Sequence, residues 1–162
     1  MAVKNRFFWI VAVIGLALDQ LTKRWVVTNF ELTVPPETWP IWPGVFHFTY
    51  VTNTGAAFSL FSEGGHWLRW LSLGVSLGLM AMAWLGPRLN GWEQVGYGFI
   101  LGGALGNGID RLIAGEVVDF LEFRLIRFPV FNLADVFINA GIVCLLIATF
   151  RQPPQKNGKR RA

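Results

Sequence analysis

The chain has one cysteine, two histidines and few charges, and each shortage closes off a class of function. Cys144 has no partner for an internal disulfide, and a lone thiol inside the last apolar run reads as packing. His47 and His66 belong to no His-Glu-x-x-His motif and no Cys/His cluster, so neither a metal site nor a cofactor is expected. No Gly-x-x-x-x-Gly-Lys-Ser/Thr occurs, which removes a P-loop ATPase. Charged residues are only 15% of the chain against 53% apolar, a balance that a water-soluble domain does not have. The net charge of +4 does not point to nucleic acid, because the basic residues sit at the chain ends and in short connections.

Long apolar stretches make the chain a polytopic membrane protein of one domain, residues 1–151. Four spans are expected, at about 7–27, 66–85, 95–113 and 133–150, each near the ~20 residues that cross a bilayer. Lys4 and Arg6 before an apolar run resemble a signal peptide. However, Asp19-Gln-Leu-Thr-Lys23-Arg24 stands where small residues would mark cleavage, so the first run is read as retained. Four spans put both termini on one side, and Lys4, Arg6, Arg88, Arg151, Lys156, Lys159, Arg160 and Arg161 make that side cytoplasmic. Loops at about 28–65 and 114–132 then face outward, where Lys23, Arg24, Arg69, Arg124 and Arg127 add some opposing charge. Trp9, Trp25, Trp67, Trp70, Trp84 and Trp92 fall near span ends, the depth that indole rings favour.

The fold class expected is therefore all-α, with four transmembrane helices and a small extracytoplasmic β element. Pro35, Pro36, Pro40 and Pro43 break the first half of the outer loop, while Val45–Thr52 is β-branched and aromatic and reads as a strand. Gly74 and Gly78, and Gly98, Gly102 and Gly106, have the four-residue spacing of close helix packing. The tail at 152–162 is basic, polar and read as disordered on the cytoplasmic side.

The polar residues inside this apolar frame need an explanation. Asp119 and Asp135, sixteen positions apart, flank the connection between the last two spans. Carboxylates beside lipid are costly and are retained for a purpose. If the two meet, they cannot both ionise easily, and one shared proton can drive hydrolysis. Asn132 is also a candidate N-cap with Asp135 at the third helical position, where a helix N-terminus favours the charged form and leaves Asp119 as the readier proton holder. Asn107, Asp110 and Arg111 share a helix face; they are either an Asp–Arg pair with an interhelical amide or a group that positions substrate. Asp19 could pair with Lys23 at i+4, hydrogen-bond the outer loop, or help shape the site.

Five blocks stand in one order along the chain. They are Leu18-Asp19-Gln-x-Thr-Lys23, Asn53-Thr-Gly-Ala-Ala-Phe58, Gly-Gly-Ala-Leu-Gly-Asn107-x-Ile-Asp110-Arg111, Gly115-Glu-Val-Val-Asp119-Phe and Phe131-Asn132-Leu-Ala-Asp135-Val-Phe-Ile. With them the chain resembles lipoprotein signal peptidase, or signal peptidase II, a bacterial inner-membrane aspartic peptidase family, over nearly its whole length. The resemblance implies that Asp119 and Asp135 are the catalytic aspartates and that Asn53, Asn107, Arg111 and Asn132 line the site. It also implies that Asp19 and Asp110 support it. A periplasmic β-cradle, a short mobile periplasmic helix over the active site, and inhibition by the cyclic peptide globomycin are implied as well. The implied substrate is a prolipoprotein cut just before its diacylglyceryl-modified cysteine, taken from the membrane lipids by a monomer. The implied site faces the periplasm, with no nucleic acid involved.

In such a site one ionised aspartate takes a proton from water while the other, protonated, polarises the scissile carbonyl. The rival from another class is a proton-coupled transporter or channel subunit, which would spread acids through the membrane depth. A non-enzymatic assembly factor is the third reading, and it would tolerate loss of either aspartate.

Overall fold

A computed structural model describes residues 3–55, 66–126 and 128–151. Four helices form the body: α1 (Arg6–Asn29), α2 (His66–Leu85), α3 (Gly91–Ile113) and α4 (Leu133–Phe150). They match the four apolar runs to within a few residues. Two of them, over Trp67–Leu85 and Leu133–Phe150, are long and apolar enough to cross a membrane by composition alone. The other two carry Asp19, Lys23 and Arg24, or Glu93, Asp110 and Arg111, which lower their apolar character at their ends.

The central helix is α3, which packs against α1, α2 and α4. Its small residues make this possible. A Cβ on Gly98 or Gly102 would press on the α1 backbone at Phe8 and Ala12, and one on Gly103 would overlap the carbonyl of Ala134 in α4. Small residues at helix contacts let backbones approach and gain dispersion contact where no hydrophobic drive exists. Gly98, Gly102 and Gly106 thus serve packing as their spacing suggests. Gly74 and Gly78 do not: both face open space. The inward stripe of α2 is instead Leu68, Ser76 and Ala83, a different face of the same helix.

The lower end of the bundle is tied by polar bonds. Asn5 Nδ2 donates to Ala83 O at 2.9 Å, Leu89 N donates to Asn5 Oδ1 at 3.0 Å, and Lys4 Nζ donates to Gly86 O. Asn90 and Glu93 form a reciprocal capping box at the start of α3. The Arg151 guanidinium lies 5.1 Å from the Trp92 ring centre. Both described chain ends and the α2–α3 connection therefore share one end of the molecule.

The opposite end carries a three-stranded antiparallel sheet, β1 (Thr38–Trp42), β2 (Phe46–Asn53) and β3 (Val117–Phe123), in the order β1-β2-β3. The strand expected at Val45–Thr52 is β2. The other two strands correct the sequence reading. Pro40 does not prevent β1, because that strand lies at the sheet edge and a bulge falls between Pro40 and Trp42. Part of the outer connection at 114–132, taken as loop, is β3, and Asp119 lies on it. One sheet face packs Tyr50, Phe120 and Leu121 against Val26 and Phe30 at the end of α1. The other carries a polar ladder across all three strands, in which Thr49 joins Thr38 at 2.9 Å and Glu122, and Arg124 holds Glu122 at 2.9 Å. The last three residues of the Asn53–Phe58 block and the basic tail lie outside the described residues.

Candidate active site

Strand β3 presents three side chains to the site. Val117, Asp119 and Phe123 line one cleft, while Phe120 and Leu121 both pack into the core, their two N–H groups donating to the single carbonyl of Phe131. Val51 on β2 stands opposite Asp119, which makes Asn53 its diagonal neighbour on the same face. Asn53 Nδ2 donates to Asp119 Oδ2 at 3.1 Å. The amide cannot turn round without loss, because Asn53 Oδ1 accepts from Gly55 N at 2.9 Å.

Helix α4 supplies the second acid. Asn132 is its N-cap and Asp135 its third residue, and the two form a full capping box: Asp135 N donates to Asn132 Oδ1 at 3.1 Å and Asn132 N donates to Asp135 Oδ2 at 3.3 Å. The cap also reaches across to the strand, where Asn132 Nδ2 donates to Asp119 Oδ1 at 2.6 Å. A single asparagine therefore holds both carboxylates. It is fully buried, so each of its bonds is made away from bulk water.

Asn107 on α3 completes the frame. Its Nδ2 donates to Asp135 Oδ1 at 2.9 Å, while its Oδ1 accepts from Asn132 Nδ2 at 3.0 Å and from Lys23 Nζ at 2.9 Å. Those two donors fix which end of the amide meets Asp135. Behind it, Lys23 pairs with Asp19 at 2.9 Å and with Asp110 at 2.7 Å. Asp19 accepts from Ala134 N at 2.9 Å and so anchors the first turn of α4. Gly106 leaves room for that carboxylate, since a Cβ there would overlap Asp19 Oδ2.

Arg111 donates from Nη2 to Gly55 O at 3.1 Å and lines the cleft beside Asn107. The Asp110–Arg111 pair, one of the two readings of this motif, is not formed among the described residues. Asp110 turns to Lys23 and Gln20, which donates to it at 2.9 Å, and Arg111 turns to the β2 end. Of the residues singled out in the sequence, Asn53, Asn107, Arg111, Asp119, Asn132 and Asp135 share one cleft of about 710 Å³. Asp19 and Asp110 stand behind it and act through Lys23 and α4. Lys23 and Gln20 are the members that sequence reasoning passed over. Their signal is a cation and an amide within one turn of Asp19 in an otherwise apolar run; the sequence reading gives Lys23 only a local pairing with Asp19 and gives Gln20 no role.

Asp119 is 3% exposed. Burial, and then the nearby charge of Asp135, push its carboxyl up to about 7, against the opposing pull of Asn53, Asn132 and Lys23. An acid so placed carries a proton near neutral pH and can give it to a developing oxyanion, while its neighbour takes a proton from water. Among the described residues no group of three or more His, Cys, Asp or Glu is gathered for a metal ion.

The sequence pattern of the family described as signal peptidase (SPase) II matches residues 11–151. The lipoprotein signal peptidase of Cyanothece sp. is 71% identical over 99% of this chain and 93% of its own length. That of Thermosynechococcus vestitus is 70% identical over 89% of this chain and 91% of its own. A bacterial membrane enzyme solved by the in meso method at 2.3 Å superposes with a TM-score of 0.81 at 28% identity, over 94% of this chain and 93% of that one. A second such structure, at 1.9 Å, gives a TM-score of 0.79 at 26% identity, over 94% of this chain and all of that one. Identity of this order along the whole chain, on the same fold, places the protein in the lipoprotein signal peptidase family of membrane peptidases.

Proposed function

We infer that this chain removes the signal peptide from prolipoproteins as an aspartic endopeptidase, cutting before the diacylglyceryl-modified cysteine, with Asp119 and Asp135 as its catalytic pair. The observation that carries the reading is the joint hold of Asn132 on both acids at the wall of one cleft. Two carboxylates held in different surroundings are the arrangement that lets one act as acid and the other as base.

The steps follow from the placement. Asp135 accepts a proton from a water as that water's oxygen bonds to the scissile carbonyl carbon, and Asp119 gives its proton to the carbonyl oxygen. When the C–N bond breaks, Asp135 returns its proton to the leaving amine. Asp119 recovers one from the collapsing gem-diol, and both acids regain their starting forms. Asn53, Asn107 and Asn132 keep the two carboxylates oriented throughout, so little reorganisation accompanies the reaction. Arg111, with Asn53, is placed to hold substrate backbone at the cleft wall.

The same reading takes residues 1–151 as one membrane domain with all four helices spanning. The termini are cytoplasmic, the sheet lies at the periplasmic face of the bacterial inner membrane, and the tail at 152–162 remains in the cytoplasm. Exposed Trp39, Ile41 and Trp42 on β1 suit a surface resting on lipid headgroups. The protein works as a monomer, and globomycin competes for the cleft. A proton-coupled transporter is disfavoured because α3 has no acid between Glu93 and Asp110, α2 has none, and Asp19, Asp110, Asp119 and Asp135 gather at the sheet end. Incubating purified protein with a lipidated precursor peptide and its unlipidated counterpart tests the function. Cleavage of the lipidated form before the modified cysteine is expected, and failure on both forms would remove the reading.

A further inference from the structure

The cleft does not stop at the two acids. It continues along α4, past Val136 and Ala140, to Val143. One residue is out of place on this apolar wall. Asn139 lines the cleft and is exposed, and between Asp135 and Thr149 the helix has no other amide, hydroxyl or charged side chain. Its Nδ2 donates back to Asp135 O at 2.8 Å, which uses one of its two N–H groups. Among the described residues, its second N–H and its Oδ1 have no partner. An amide left in this state at membrane depth is costly unless something polar arrives to meet it.

Resting on the peptidase reading above, the geometry points to Asn139 as a specificity-determining residue that donates to an ester carbonyl of the substrate's diacylglyceryl group. Asn139 lies one helical turn beyond Asp135, about 6 Å along the axis. An ester carbonyl carbon on the central glycerol carbon is six single bonds from the cysteine Cα, roughly 7 Å when extended. With the scissile bond at the aspartates, the glycerol esters fall at the depth of Asn139, and the acyl chains continue onto Ala140 and Val143. The ester is thus the polar group of the substrate that matches the one polar side chain of this wall. A transmembrane signal segment entering as a helix keeps its backbone carbonyls bonded internally and has none to offer at that depth.

Two precursor peptides of identical sequence and chain length test this, one with an S-diacylglyceryl cysteine and one with the S-dialkylglyceryl ether analogue, which lacks both carbonyls. The full-length wild type is expected to favour the ester by roughly fivefold to tenfold in kcat/KM, the size of one net hydrogen bond. In Asn139→Leu that preference falls to near parity, and Asn139→Ala, which removes the amide without adding bulk, gives the same collapse. Equal wild-type rates on ester and ether overturn the inference without any variant being made. So does a variant that keeps the wild-type ester preference while slowing on both peptides, since that is a packing effect or a contact to peptide. Wild type that cleaves neither lipidated peptide overturns the peptidase reading itself.

Discussion

Asn132 Nδ2 lies 2.6 Å from Asp119 Oδ1 while the same residue caps the helix that carries Asp135. A strand acid and a helix acid are thereby referred to one side chain. Replacing it separates two roles. Asn132→Ser keeps a capping oxygen, so thermal stability should stay within a few degrees of wild type. It loses the donor to Asp119, and kcat should fall by roughly 100-fold. Asn132→Ala loses both, with about 1 kcal/mol less stability in addition. Melting curves beside single-turnover rates check the separation.

The pH dependence has a definite sign. In the proposed mechanism Asp119 is the proton donor; with its carboxyl pushed up to about 7, activity should decline on the alkaline side with an apparent pKa of about 7. Stability follows the same group. A carboxyl raised in the folded state binds its proton more tightly there than in the unfolded chain, so its contribution is greatest below the ordinary value of 3.8 and is lost as pH rises through about 7. Unfolding measured from pH 4 to 8 should show this decline in wild type and a flatter response in Asp119→Asn.

Much of this arrangement was legible in the chain, and the gaps have physical causes. The helices announced themselves as apolar runs, and the α4 capping box as Asn132 three residues before Asp135. The aromatic, β-branched run Val45–Thr52 announced β2. β1 was hidden because Pro40 reads as a breaker until its edge position is known. β3 was hidden because its alternation places an acid on the site face, and only pairing with β2 shows that face to be a wall. Lys23 was read through its nearest sequence neighbour, whereas its reach to Asn107 and Asp110 depends on how α1 and α3 cross. The glycines divided for the same reason: spacing marks a stripe, and only packing tells whether a helix lies against it.

Lys23 is almost fully buried between Asp19 and Asp110. Removing the cation leaves two carboxylates uncompensated, so Lys23→Met should cost about 3 to 5 kcal/mol of stability. Adding Asp110→Asn should recover part of that loss, and a double-mutant cycle from unfolding measurements reads the coupling.

Gly106→Ala should be destabilising despite its small size. The new methyl meets the Asp19 carboxylate that anchors Ala134 N, and forced overpacking of this kind costs about 1 to 3 kcal/mol. Gly74→Ala, at a position facing open space, should leave the melting temperature unchanged or slightly raised. Paired melting curves compare the two.

The central claim is that Asp119 and Asp135 act together on the scissile bond. It is tested most directly by the rate at which purified Asp119→Asn protein cleaves a diacylglyceryl precursor peptide. The substitution keeps the size of the side chain and an oxygen that can accept from one of its two donors, Asn53 or Asn132, and it removes a buried charge, so the protein should remain folded by melting curve. Cleavage should fall by at least roughly a thousandfold, as loss of an acid–base group on the reacting atoms entails. A folded Asp119→Asn protein that cleaves at the wild-type rate would contradict the account.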